Sequence, residues 1–175
     1  NNAIEKNTGR QAEIVLENIP VSIESTKKIA QGMPSKEHKK LLHRAVDRLN
    51  RCVVDFIVIP CNTVHIFIDE LRAISSVPLL SIIEETAEEC TGRDLEKVGI
   101  LGTATTIQQK LHENKLKEVR IRVVKPTKKE QEAISIIIPK IIHREWNVQD
   151  RNKLISIIEN LGENGAEAVI LGCTD

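Results

Sequence analysis

The chain has 175 residues, 25 basic and 25 acidic side chains, a formal net charge of zero and 41% hydrophobic residues, the balance of one folded domain or two small ones. Its longest uncharged stretch, 56–68, is broken by Pro60, Asn62, Thr63 and His65 and falls short of the roughly 20 apolar residues of a membrane span. Scattered basic pairs (Lys27-Lys28, Lys39-Lys40, Lys128-Lys129), two Phe, one Trp and no Tyr also argue against a nucleic-acid partner.

In chain order, AEIVL (12–16) reads as a strand and SKEHKKLLHRAVDRLNR (35–51) as a helix. DFIVIP (55–60) is a strand, VHIFIDELRAI (64–74) a helix, PLLSI (78–82) a weaker strand pattern and IEETAEEC (83–90) a helix. VGILG (98–102) leads into a helical stretch, 103–116, and IRVV (121–124) into another, 129–146, where Pro139 should kink or split the helix. A last helix, 150–165, has Asp150 at its expected N-cap and glycines at its end, and EAVILG (167–172) closes the series as a strand. The strands are short, rich in Ile and Val and nearly continuous in apolar character, as in parallel strands buried on both faces. Alternation of such strands with helices predicts an α/β fold with mostly parallel sheets. Thr91-Gly92 is the candidate boundary between an N-terminal lobe, 1–92, and a second lobe, 93–175. The chain opens without Met and stops just after a strand that no helix follows, so we expect it to be part of a longer protein lacking an element at each end.

The four cysteines are Cys52, Cys61, Cys90 and Cys173, with no CxxC pair and no metal-site spacing. With no signal peptide ahead of them, a reducing cytoplasm is the expected compartment. Two of them share a context. DFIVIPCNT (55–63) and EAVILGCTD (167–175) each run from an acid through an aliphatic strand to Pro or Gly, then Cys, with Thr close behind. The likeness fits an internal duplication or a chance similarity of apolar strands. Ligands of open α/β sheets bind at the carboxyl ends of strands, where both thiols fall.

Cys61 is followed by Asn62-Thr63, good helix-capping types, and a thiol at a helix N-terminus has its thiolate stabilised by unpaired N–H groups. Gly172 before Cys173 would let a substrate approach the backbone. The alternative for each thiol is a buried core cysteine. A thiolate and a thiol on opposite faces of one carbon could invert it, one removing a proton and the other supplying one. A nucleophilic cysteine hydrolase would instead want a His partner. His65, four residues after Cys61, reads as a packing or supporting group; His38, His43, His112 and His143 read as surface residues. Asn62, Thr63 and Thr174 offer donors near the thiols. In LGTATT (101–106), which opens a helix, Thr103 and Thr106 could face one anionic ligand, or Thr103 could simply cap the helix. No P-loop or dinucleotide fingerprint is present.

PCNTVH (60–65), PLLSIIEETA (78–87), KVGILGTATT (97–106), EQEAI (130–134) and GAEAVILGCTD (165–175) together resemble the aspartate/glutamate racemase family, especially its aspartate racemase branch. The resemblance implies two pseudo-symmetric α/β lobes with the active site in the cleft, usually in a homodimer. It also implies racemisation of an amino acid without pyridoxal phosphate or metal. Cys61 and Cys173 would be the two acid/base thiols, with Asn62, Thr63, Thr103, Thr106 and Thr174 holding the α-carboxylate and α-amino group. The motif GCTD stands where the family usually has GCTE. Ile19-Pro20 is followed by Val21-Ser22 rather than by the Arg that some aspartate racemases use for the distal carboxylate, and a Lys that related enzymes supply before the last helix has no match in 145–148. The expected function is therefore an amino acid racemase acting on aspartate, or on aspartate and glutamate. The alternatives are a broad-specificity racemase, a maleate isomerase or hydantoin racemase of the same superfamily, and a catalytically silent amino-acid-binding homologue. A single-cysteine arylmalonate decarboxylase fits poorly.

Overall fold

The computed structural model describes residue 9, residues 11–30, residue 33 and residues 36–173. In chain order they form α1 (Ile23–Ala30), α2 (Lys36–Asn50), β1 (Ile57–Val58), a 3-10 helix (Asn62–Phe67) continuing into α3 (Ile68–Ile74), β2 (Leu79–Leu80) and α4 (Ile82–Gly92). Then come β3 (Lys97–Gly102), α5 (Ala104–Gln108), α6 (Leu111–Glu118), β4 (Arg122–Val124), α7 (Lys128–Ile142), α8 (Val148–Glu163) and β5 (Ala168–Gly172). β1 and β2 pair in parallel, and β4-β3-β5 form a second parallel sheet. This is the α/β architecture that the alternating pattern predicts. No helix among the described residues is long and apolar enough to cross a membrane.

β3 is the central strand, and its side chains alternate between two cores. Val98 and Ile100 pack with Ala87 and Cys90 of α4, Leu116 of α6 and Ile121. Leu101 points the other way, into Ile134 and Ile138 of α7 and Ile157 and Leu161 of α8. Gly99 packs closely on α8, since a Cβ there would lie 3.0 Å from the Leu161 side chain, which would have to give way. A third core joins Leu42 and Val46 of α2 to Ile57, Val64, Phe67, Leu71 and Leu79. The two sheets meet through the 3-10 helix, which lies against α4, α5 and α6.

Several expectations are corrected. Residues 12–16 are not a strand: Ile14, Val15 and Leu16 are exposed, and no described strand pairs with them. Strand preference without a ladder partner or a face to bury does not make a strand. Burial on both faces holds for β3 but not for β1 or β5, where Val58 and Leu171 face solvent. The 103–116 helix is two helices, divided at Lys110, whose backbone is left-handed (φ 52°). Pro139 does not split α7. It falls near the helix end, and the Ser135 carbonyl it leaves without an amide partner is on the exposed side, where water can serve it. The N-cap of α8 is Asn147, with Asp150 one turn inside; each side chain accepts from the other's backbone N–H, a capping box. The helix ends as its glycines suggest. Gly165 takes φ +88° while its N–H and that of Ala166 satisfy the Gly162 and Leu161 carbonyls.

At the carboxyl end of the second sheet, Gly102 pairs with Gly172. A Cβ on Gly172 would lie 3.0 Å from the Leu101 carbonyl oxygen, so the small residue is required by strand packing. Gly172→Ala should therefore lower stability by about 1–3 kcal/mol. Gly162→Ala, on α8 with nothing within 4 Å of the added carbon, should leave stability unchanged or raise it by about 0.5–1 kcal/mol. Urea midpoints of the two variants check the contrast.

Candidate active site

Two residues after β1 comes Pro60, and the chain turns sharply there. The Cys61 N–H donates to the Ile59 carbonyl at 2.8 Å, closing a three-residue turn around Pro60. Cys61 is extended (φ −152°, ψ 109°) at the head of the 3-10 helix, and its thiol is half-buried. The helix N-terminus expected behind this thiol is thus a 3-10 turn that becomes α-helical only at Ile68.

Two buried histidines hold this turn. His65 Nδ1 lies 2.9 Å from the Cys61 carbonyl, and its Nε2 accepts the Ile82 N–H at 3.2 Å. Because a backbone amide occupies Nε2, the proton is on Nδ1 and is donated to Cys61. His65 thereby ties the Cys61 backbone to the start of α4. His112, on α6, donates from Nε2 to Asn62 Oδ1 at 2.8 Å. Burial pushes the pKa of both imidazoles down, that of His112 to about 4, with His65 adding a repulsive contribution at His112. Behind them Arg72 makes two hydrogen bonds to Glu84 and one to the Leu79 carbonyl. That pairing holds the Glu84 carboxyl below its usual range.

Three of the expected threonines form one buried chain. Thr63 Oγ1 is 3.1 Å from Thr103 Oγ1, which is 3.0 Å from Thr106 Oγ1. Thr103 also accepts the Thr106 N–H at 3.2 Å, so it does cap α5. The Thr63–Thr103 bond joins the Cys61 turn to the end of β3, and the Gly102–Gly172 rung places β5 beside it, with Cys173 following as a half-buried thiol. One hydrogen bond and one rung of sheet therefore connect the two cysteine segments. Thr174 lies outside the described residues. Of the other cysteines, Cys52 is exposed and Cys90 is buried in the second core.

Residues 4–175 match the family model described as Asp/Glu/Hydantoin racemase. The chain belongs to this racemase family. It is 31% identical over 139 residues to the broad specificity amino-acid racemase RacX of Bacillus subtilis, covering 79% of this chain and 60% of that protein. It is 30% identical over 125 residues to a glutamate racemase of Sulfurihydrogenibium, covering 69% of this chain and 46% of that one. The chain thus spans about half of the length of these curated relatives. Among solved structures, an aspartate racemase homologue from Pyrococcus horikoshii aligns over 99% of this chain and 76% of its own, with TM-score 0.69 and 30% identity. The fold is also that of the Picrophilus torridus aspartate racemase, with TM-score 0.74 over 99% of this chain and 74% of that one, at 24% identity.

Within this family member, two histidines read as surface residues are buried, His38 at 5% and His112 at 1% exposure. His38 shares the inward stripe of α2 with Leu42, Ala45 and Val46, and His112 stands one turn from buried Leu116. The four-residue spacing to a leucine was the available signal. Gln131 was also missed: its side-chain amide donates to the Gly102 carbonyl at 3.0 Å and supports the strand end.

The histidines make stability depend on pH. An unfolded imidazole protonates near 6.5, whereas His112 in the fold does so only near about 4. Between those values the unfolded chain binds the additional proton, so stability falls as pH is lowered. That interval corresponds to on the order of 3 kcal/mol, and the lowered pKa values of His65 and His38 act with the same sign. Urea unfolding midpoints should drop between about pH 6.5 and about pH 4, and His112→Leu should flatten the decline. A midpoint that does not change across this range would contradict the buried neutral state.

Proposed function

We propose that the protein is a cofactor-independent amino acid racemase that interconverts L and D enantiomers by proton transfer between Cys61 and Cys173. The observation that carries this reading is the coupling of both cysteine segments through the Thr63–Thr103 hydroxyl bond and the β3–β5 register. In the proposed cycle one thiolate takes the α-proton, the C–H electron pair moves into an ene-diolate-like carboxylate, and the opposite thiol protonates the other face. The thiols end with exchanged protonation states, and once product leaves, proton exchange with solvent resets them for the next turnover. The two thiols supply both acid and base, so the cycle calls on neither pyridoxal phosphate nor metal.

The α-proton is a weak acid, and the developing oxyanion has to be stabilised. Asn62, Thr63, Thr103, Thr106 and Thr174 are assigned to the α-carboxylate and α-amino group. Preformed donors of this kind are each worth about 2.7–4 kcal/mol in comparable oxyanion sites. The site is assigned to the junction of lobes 1–92 and 93–175, in a homodimeric, cytoplasmic enzyme. Aspartate is the proposed substrate. A broad-specificity enzyme is the second reading, favoured by the likeness to RacX and by Val21-Ser22 after Ile19-Pro20, where some aspartate racemases carry an Arg.

Circular dichroism or chiral chromatography against D- and L-aspartate, glutamate and a panel of neutral and basic amino acids, without added cofactor, distinguishes the two. Cys61→Ser and Cys173→Ser should each reduce racemisation by about 100-fold or more, the range of general acid–base contributions. Each single variant should still exchange the α-proton of one enantiomer with solvent deuterium. Wild-type rates in both variants would overturn the two-thiol assignment.

A further inference from the structure

His112 takes no part in the proposed proton transfer, yet it is among the most enclosed polar side chains of the protein, at 1% exposure. Asn62 Oδ1 can only accept, so the 2.8 Å contact places the imidazole proton on Nε2 and leaves Nδ1 bare. Among the described residues nothing donates to Nδ1, which is buried. A buried nitrogen in that condition is destabilising, and an aliphatic side chain of similar size would fill the space without it. What the imidazole contributes is one N–H directed at Asn62.

The effect on Asn62 is specific. Its carboxamide has an accepting end and a donating end, and it is 3% exposed on the residue directly after Cys61. With Oδ1 bonded to His112 Nε2, the other end of the carboxamide, Nδ2, carries two N–H groups. Among the described residues no acceptor engages Nδ2, nor is it one of the sealed atoms without a partner. Turned by 180°, the same side chain would present oxygen to a carboxylate and repel it. His112 itself is set by the left-handed break at Lys110 and by the fully buried Leu116 one turn later.

We infer that His112 is a positioning residue which turns the Asn62 amide so that its N–H groups face the carboxylate of the bound amino acid. The inference rests on the racemase reading given above. Its partner at the same turn is His65, which fixes the Cys61 backbone rather than a side chain.

His112→Leu and His112→Gln test it. Leu keeps the volume and removes both nitrogens; the Gln side-chain amide can put an N–H where Nε2 was. His112→Leu should fold with unchanged or raised thermal stability at neutral pH, while kcat/KM for racemisation falls by about 10–100-fold, the scale of a small misplacement of a binding group. His112→Gln should recover most of that loss. In an Asn62→Ala background, His112→Leu should add no further loss. Equal losses in the Leu and Gln variants, or losses that add to that of Asn62→Ala, would overturn the inference. If the wild-type protein racemises no amino acid, the racemase reading fails by itself. The orientation is then decided by proton–nitrogen correlation spectra of His112 near neutral pH: an Nε2–H tautomer supports it, and an Nδ1–H tautomer overturns it.

Discussion

A buried contact between hydroxyls, Thr63 to Thr103, joins the Cys61 turn to the end of β3, where the candidate site lies. Thr63 belongs to the 3-10 helix that follows Pro60, and Thr103 to the cap that follows β3. Both hydroxyls are buried. Losing Thr103 would take the Thr63 hydroxyl's partner away from it in a place that water does not reach, whereas Thr103 keeps its bonds to Thr106. Because Gly102 and Gly172 are in register, anything that fixes the end of β3 also fixes the start of the Cys173 segment. Gln131 adds a second hold on that strand end through the Gly102 carbonyl.

The surroundings of Asn62 and Cys61 are built from neutral, buried polar groups rather than from exposed charges. Two imidazoles, one bound to a backbone carbonyl and one to a carboxamide, lie close enough that His65 adds to the lowering of His112's proton affinity by burial. Such an arrangement loses stability on acidification, since protonating His65 would take the acceptor from the Ile82 N–H and charging His112 would place a cation in the protein interior. The same neutrality serves the proposed chemistry. A cationic imidazolium at His112 would have to be desolvated within the protein interior, whereas the neutral ring positions Asn62 and leaves the donors facing substrate unchanged.

Much of this was legible in the sequence. β3 and β5 follow from the aliphatic runs VGILG and EAVILG, although only β3 is covered on both faces. The helices α2, α4 and α8 follow from their periodicity within one or two residues at most ends. Three features were not legible, for separate reasons. The 12–16 segment has strand-forming residues, but pairing is a property of neighbours and not of the segment. The break at Lys110 carries no Gly or Pro, yet the chain adopts a left-handed residue there. The roles of His65 and His112 depend on contacts with residues 17 and 50 positions away, which local spacing does not reveal. For the site itself, the cysteines and threonines stood out as repeated strand-end motifs, while the residues that orient them did not.

The most direct test of the two-thiol account is the fate of hydrogen in the first turnovers. The protein is incubated in deuterium oxide with one enantiomer of aspartate, or of the amino acid it racemises fastest, and both enantiomers are analysed by mass at low conversion. Two thiols on opposite faces predict that the newly formed enantiomer carries deuterium at the α-carbon, while recovered substrate keeps protium. Product that retains the original α-hydrogen would mean that one group both removes and returns it, and would contradict the account.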